Sequence, residues 1–385
     1  MRARYSAHGG AERFVQRALA ALAGAVDGIE LTVIARRWQA GGDGEAAAPL
    51  RLVRVDPFYL GSAWRDWSFA RAVRRVVARE RFDLVQSHER IPGVALYRAG
   101  DGVHAEFLAA RARVLPRWRR ALLRVSPHHR WVLAAERRMF ADPALRAVVC
   151  NAQMVRGQIA RRFGVSPDRL HLIRNGVDAE RFAPPDAAAR STARERFGVP
   201  PDAAAFAFVG SGFERKGLAV AIRALARLPA PAWLLVAGAD RRRAAFGRLA
   251  RREGVAGRVR FLGALADVRP VLHAADAFVQ PALYDPLPNA ALEALACGLP
   301  LVTSPASGAA ELIEPGRNGF VADALDVDAV AGAMAALARP GAAGAMREAA
   351  RAAVLPLSPE RMARELVALY AMLTGSPVPG DRTAP

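Results

Sequence analysis

Tyr284-Asp285-Pro286-Leu287-Pro288-Asn289-Ala290-Ala291-Leu292-Glu293-Ala294-Leu295-Ala296-Cys297-Gly298-Leu299-Pro300 is the stretch from which the rest of the chain can be read. Pro286 and Pro288 stiffen a loop, Asn289 stands where an N-cap belongs, and an Ala/Leu run follows until Gly298 and Pro300 end it. The pattern predicts a short helix entered from a rigid loop. Such a helix turns its first amides and the positive end of its dipole, about half a charge, toward whatever precedes it, and phosphate is a common occupant. Asp285 and Glu293 frame that end, and carboxylates beside an anion site are suited to accept hydrogen bonds from sugar hydroxyls. A buried, capped helix with incidental acids fits the same residues.

A second phosphate-binding pattern lies upstream. A strand expected over Ala203–Gly210 runs into Ser211-Gly212, and Arg215-Lys216-Gly217 then opens a helix. Lys216 is the only lysine in the chain; every other basic position carries Arg. In such a composition its survival points to a site that needs a compact ammonium and not a planar fork. Trp233–Gly238, Val259–Leu262, Ala277–Gln280 and Leu301–Thr303 read as further strands with helices between them, which predicts a parallel, doubly wound sheet.

The first half repeats the alternation. Ile29–Ala35, Leu52–Val55 and Asp83–Gln86 read as strands, and Trp64–Arg79 as a helix. Gly9-Gly10 precedes an apolar helical stripe of Phe14, Val15, Ala18, Leu19 and Leu22, and two glycines there let a ligand approach the backbone. Only Met1–His8 stands before them, and its two arginines make a poor central strand. The expectation is a first strand mostly missing, with a chain extended upstream more stable and more active. Ligands gather at the carboxyl ends of such strands, so the turns Ser87-His88-Glu89-Arg90 and Gly100-Asp101-Gly102-Val103-His104 nominate His88 and His104 as acceptor contacts.

Composition bounds the function. With 385 residues and 52% apolar content the chain can fill two cores, and no apolar run reaches membrane-spanning length. A soluble cytoplasmic protein is expected. Net charge is +19, from 55 basic against 36 acidic side chains, which favours polyanionic partners. Much of the excess sits in 107–140, where Arg117, Arg119, Arg120, Arg124 and other arginines interleave with Trp118 and Trp131. That mixture suits an anionic membrane face, and a solvated arginine-rich helix or a nucleic-acid contact would look similar. Cys150 and Cys297 fit no metal or disulfide spacing. Asp326 and Asp328 mimic a metal-binding pair, but N-capping of a helix over Val327–Leu337 explains them, and no metal is assigned.

The spacing of Asp285 and Glu293, with Leu292-Glu293-Ala294 running to Gly298 and Pro300, resembles the signature of retaining GT-B glycosyltransferases of family 4, and Gly212 to Gly217 matches that family's Arg-Lys loop. The family's plan implies two Rossmann-like domains facing across a cleft. It divides this chain into 1–183 on the acceptor side, 184–358 for the nucleotide sugar, a C-terminal helix over 359–374 and a loose tail. By the same resemblance Glu293 holds the nucleotide ribose, and Asp285, standing where Glu is usual, contacts the donor sugar. Arg215 and Lys216 neutralise the diphosphate. Gly9, Gly10, Gly210, Asn289, Ala290 and Leu292 complete the donor site. Asp101, taken to follow the last strand of the first domain, orients the sugar. Among family members the chain is most similar to lipopolysaccharide core glucosyltransferases. That implies UDP-glucose as co-substrate, no cofactor, a lipid-linked saccharide acceptor such as a core heptose, no nucleic acid, and a place on the inner face of the cytoplasmic membrane. A nucleotide-sugar epimerase of this fold, a nucleic-acid-binding protein and a noncatalytic scaffold are the alternatives.

Overall fold

The computed structural model describes residues 2–4, 30–37, 50–228 and 232–375. Gly9, Gly10, the apolar stripe behind them and the tail lie outside the described residues. The chain forms two compact units, one of Met1–Gly176 with Pro359–Pro385 and the other of Val177–Ser358. The division falls before the Pro184–Pro185 crossing expected from sequence. Val177 and Phe182 are 3% and 2% exposed in the second unit's core, and the Val177 amide donates to Leu357 O at 2.7 Å.

The second unit holds one parallel sheet of β8 (Ala204–Val209), β9 (Ala232–Ala237), β10 (Val259–Gly263), β11 (Ala277–Gln280), β12 (Leu301–Thr303) and β13 (Gly319–Val321), in the order β10-β9-β8-β11-β12-β13. Strand alternation builds a core on each face: Ala205, Ala207 and Val209 pack with the Asn289–Ala296 helix, and Phe206 and Phe208 pack with the Leu218–Ala226 and Val327–Ala338 helices. The strand order reverses between β8 and β11. A doubly wound sheet splits its connections there, which leaves a crevice at the carboxyl ends of those two strands.

In the first unit, β1 (Arg2–Arg4), β2 (Leu31–Arg37) and β3 (Leu50–Arg54) pair in parallel in that order, and β4 (Gln86–Ser87), β5 (Leu96–Arg98), β6 (Ala147–Cys150) and β7 (Leu170–Leu172) form a second parallel sheet. The expectation of a mostly missing first strand is corrected to this extent: Arg2 and Arg4 pair with Ala35 and Arg37, because backbone groups make the ladder whatever the side chains. The Asp83–Gln86 strand shortens to Gln86–Ser87, and Asp101 follows β5, so it does not follow the unit's last strand; β6 and β7 come after it. Strands β5, β6, β7 and β13, three or four residues each, add to those read from the sequence. Segment 107–140 lies within three helices, His104–Val114, Arg117–Val125 and Pro127–Phe140, broken at Pro116 and Pro127. The helix Pro359–Thr374, expected as a separate element, returns to the first unit: Met362, Leu366 and Val367 share a core with Val33, Leu96 and Val149.

Candidate donor site

The site grows from the β8–β11 reversal. Gly210 follows β8 with φ 136°, and a Cβ there would lie 2.7 Å from Lys216 Cε, so only glycine lets the lysine lie across the backbone. Gly217, with φ 83°, presses on the loop after β11, and its Cβ would meet Pro281 O at 1.9 Å. The Leu283 amide donates to Arg215 O at 2.8 Å, and the Phe213 amide to Asp240 Oδ2 at 2.8 Å. Both loops are thus fixed before any ligand arrives.

Asp285 is clamped from its own backbone. Its amide donates to Ala306 O at 3.0 Å, and its carbonyl accepts from the Gly308 amide at 2.9 Å. Lys216 Nζ donates to Asp285 Oδ2 at 2.6 Å, and Arg215 Nη1 stands 3.2 Å from the same oxygen while donating to Tyr284 O at 3.0 Å. Lys216 and Asp285 are 8% and 5% exposed. Burial pushes the Asp285 carboxyl up, but Arg215 and Lys216 outweigh it and hold the group below the usual carboxylate range. Burial lowers the Lys216 ammonium, with Arg215 acting in the same direction against the attraction of Asp285. Two cations share one carboxylate, so the cluster carries one surplus positive charge, and the more exposed Arg215 presents it.

The helix opening this stretch starts one step earlier than expected. Pro288 is the N-cap and Asn289 is already helical, because Pro288 takes the extended backbone that a cap requires and has no amide to satisfy. The Ala291 and Leu292 amides bond to Pro288 O, which leaves Asn289 and Ala290 as the amides ahead of the helical ladder. Leu292 is 1% exposed in the core, and Glu293, on the same helix, is 7% exposed. Asp326 accepts from the Ala329 amide at 2.9 Å, the N-cap expected for it.

The other site residues lie in the first unit. His88 follows β4 with its ring 3.2 Å from the Gln86 amide nitrogen, and Asp101 lies in the turn after β5. His104 begins its helix, its amide donating to Glu136 Oε1 at 2.7 Å and its ring 3.1 Å from His129. Burial first, then Arg90 and the neighbouring histidines, pushes it down to about 3, so it is a neutral imidazole. Arg90 donates to Glu136 at 2.8 Å and to Gly102 O at 3.0 Å, bracing the Asp101 turn. Arg90, Glu136 and Asp240 were not singled out in the sequence. Asp240 stands just past a strand's carboxyl end, a usable signal, whereas the Arg90–Glu136 pair spans 46 residues and no local pattern announces it.

Two family models match. Glycosyltransferase Family 4 covers residues 8–181, and Glycosyl transferases group 1 covers residues 203–339. Over both regions the chain is therefore similar to glycosyltransferases of family 4. It is 26% identical over 323 residues to the lipopolysaccharide glucosyltransferase WaaG of Escherichia coli, covering 83% of each chain. It is 39% identical over 142 residues to the lipopolysaccharide core biosynthesis glycosyltransferase LpsE of Rhizobium meliloti, a match spanning 37% of this chain and 41% of that protein. The chain thus spans less than half the length of LpsE. A crystal structure of WaaG superposes with a TM-score of 0.82 at 23% identity, covering 97% of this chain and 98% of that one. Anabaena HepE in complex with UDP-glucose gives 0.72 at 19% identity, covering 96% and 98%.

Proposed function

We propose that this protein transfers a hexose, glucose from UDP-glucose, with retention of configuration to a lipid-linked saccharide such as a lipopolysaccharide core heptose. The observation that carries the reading is the Arg215–Lys216–Asp285 cluster at the β8–β11 reversal, a surplus positive charge fixed where a doubly wound sheet binds its ligand. The carboxylate-framed helix end beside it supports the same reading.

In this reading Arg215, Lys216 and the Asn289 and Ala290 amides take the charge that builds on the diphosphate as the glycosidic bond breaks. The acceptor oxygen forms the new bond to the sugar carbon on the same face, and its proton passes to the departing phosphate oxygen, releasing UDP. Glu293 holds the ribose, Asp285 and Asp101 orient the sugar, and His88 and His104 meet the acceptor. Asp285 reaches the sugar through the oxygen its cations leave open. Gly9 and Gly10 complete the donor loop, and no metal is assigned a step.

The acceptor's lipid places the enzyme at the cytoplasmic membrane face, held by the arginines and tryptophans of 107–140. No described helix is long and apolar enough to cross a membrane. The test is UDP release and product analysis with UDP-, GDP- and ADP-sugars, with and without a heptose-terminated core acceptor. An α-linked product formed only with UDP-glucose and acceptor is expected. Epimerised free donor, or no turnover with any pairing, would overturn the reading.

A further inference from the structure

The helix Gly61–Arg79 buries Phe69 and Val73 and turns another face outward. On that outward face Trp64, Trp67, Arg71, Arg74 and Ala78 recur at steps of three and four, so the stripe is tryptophan at its start and arginine beyond. Trp64 is 43% and Trp67 49% exposed, and just ahead of the helix Phe58 is 73% and Leu60 68% exposed. Phe58 stands edge-on to Trp64 at 5.9 Å between ring centroids, and the Arg71 guanidinium lies 5.9 Å from the Trp67 ring. These are neighbours in one patch, and a contiguous apolar patch on a folded surface marks an interaction site.

The patch is held from beneath. Arg36, 1% exposed, donates to Asp56 Oδ1 at 2.7 Å, Pro57 O at 2.8 Å and Arg65 O at 3.0 Å, and its guanidinium lies 4.7 Å from the Tyr59 ring. That buried clamp ties the turn between β3 and the helix on both sides of Phe58 and Leu60. Their exposure is therefore a fixed feature of the turn, with no apolar cover among the described residues.

The chemistry around the patch says what would cover it. Arg71, Arg74 and Arg75 continue the exposed surface along the helix. On the other side, His128 Nδ1 lies 3.4 Å from Asp66 Oδ2, which brings the start of the Pro127–Phe140 helix against the residue before Trp67. Directly before that start, the Arg117–Val125 helix exposes Trp118, Leu122 and Val125 at i, i+4 and i+7, with Arg117, Arg119, Arg120 and Arg124 exposed around them. A protein interface sheds charge from its apolar centre, and single-stranded nucleic acid is bound by aromatic stacking and basic grooves, which leaves exposed leucine and valine without a part. Aromatic and aliphatic groups ringed by arginine match the headgroup boundary of an anionic bilayer, where rings sit at the interface and guanidinium groups take phosphates.

We propose that Phe58, Leu60, Trp64 and Trp67 form a second membrane contact, inserted at the headgroup boundary of an anionic bilayer beside the Arg117–Val125 helix. The inference rests on the reading that this enzyme works at a membrane surface, and it adds a footing outside the 107–140 segment. Two weak contacts on one rigid body bind far more tightly than either alone, as stable anchoring by paired membrane signals requires.

The test uses the full chain with vesicles of phosphatidylglycerol and phosphatidylethanolamine, some carrying brominated acyl chains. Four proteins are compared: the wild type, a Phe58→Ser/Trp64→Ser/Trp67→Ser variant, a Trp64→Tyr/Trp67→Tyr variant, and an Arg117→Gln/Arg119→Gln/Arg120→Gln/Arg124→Gln variant, each with its melting temperature checked. The serine variant should bind about tenfold or more weakly, as follows from withholding three large apolar groups from the interface. It should also lose part of the bromine quenching of tryptophan fluorescence, whereas Trp64→Tyr/Trp67→Tyr should keep most of the affinity. If the serine variant binds and quenches like the wild type while the glutamine variant is released, this inference falls and the membrane reading stands. A wild type that ignores the vesicles sinks both.

Discussion

Lys216 and Asp285 stand 69 residues apart in sequence and 2.6 Å apart in the fold. Each depends on the other, because a buried ion with its partner removed keeps its desolvation penalty and loses its compensation. Asp285→Asn should therefore destabilise the second unit by about 3 kcal/mol or more, read as a fall in the urea midpoint. Lys216→Ala should slow transfer by about 10²-fold or more, the usual cost of one charge-stabilising donor. Lys216→Arg should restore only part of that rate, since the lysine stem lies against Gly210 and leaves no room for a planar fork. Full activity in the arginine variant would show that charge alone matters there. Lys216 was legible in the sequence because the composition shuns lysine everywhere else. Its pairing with Asp285 was not, since only the order of the strands brings the two loops together.

At the scale of elements, helix starts hold several of the candidate site residues. The Asn289–Ala296 helix was legible from its prolines, its apolar run and Gly298; its cap was misplaced by one residue because an extended Pro288 fills that role without a side-chain acceptor. The three histidines near the Asp101 turn were less legible. His104 begins one helix and His128 and His129 lie in the first turn of another, and only the packing of the helices brings the rings together. His104 falls from an ordinary 6.5 to about 3 through burial, with Arg90, His129 and His128 adding repulsion. The unfolded chain thus binds a proton in that interval that the folded chain refuses, and stability falls as pH drops from about 6.5 toward 3. His104→Gln removes that proton site. Its melting temperature should decline less than that of the wild type between pH 7.5 and 5, and equal declines would place the loss elsewhere.

The whole molecule closes its first unit with its last helix. Pro359–Thr374 was legible as a helix from its periodicity, but nothing local told where it would dock, since its apolar face finds partners some 200 to 330 residues away in sequence. Leu366 is 1% exposed among Val33, Leu96 and Val149, and Tyr370 donates to Gln86 Oε1 at 2.8 Å, the side chain that also stands beside His88. The helix is therefore part of the first unit's core, and through Gln86 it reaches the turn proposed to meet the acceptor. Leu366→Ala should cost about 2–5 kcal/mol, the range for a buried leucine cut back to alanine. That loss should appear in the unfolding of the first unit while UDP binding by the second unit persists. Tyr370→Phe keeps the packing and removes only the hydrogen bond to Gln86. It should leave the melting temperature within about 1.5 kcal/mol equivalent of the wild type, the net worth of one hydrogen bond, while raising KM for the acceptor and leaving KM for the donor unchanged. An unchanged acceptor KM would confine the helix to a structural part.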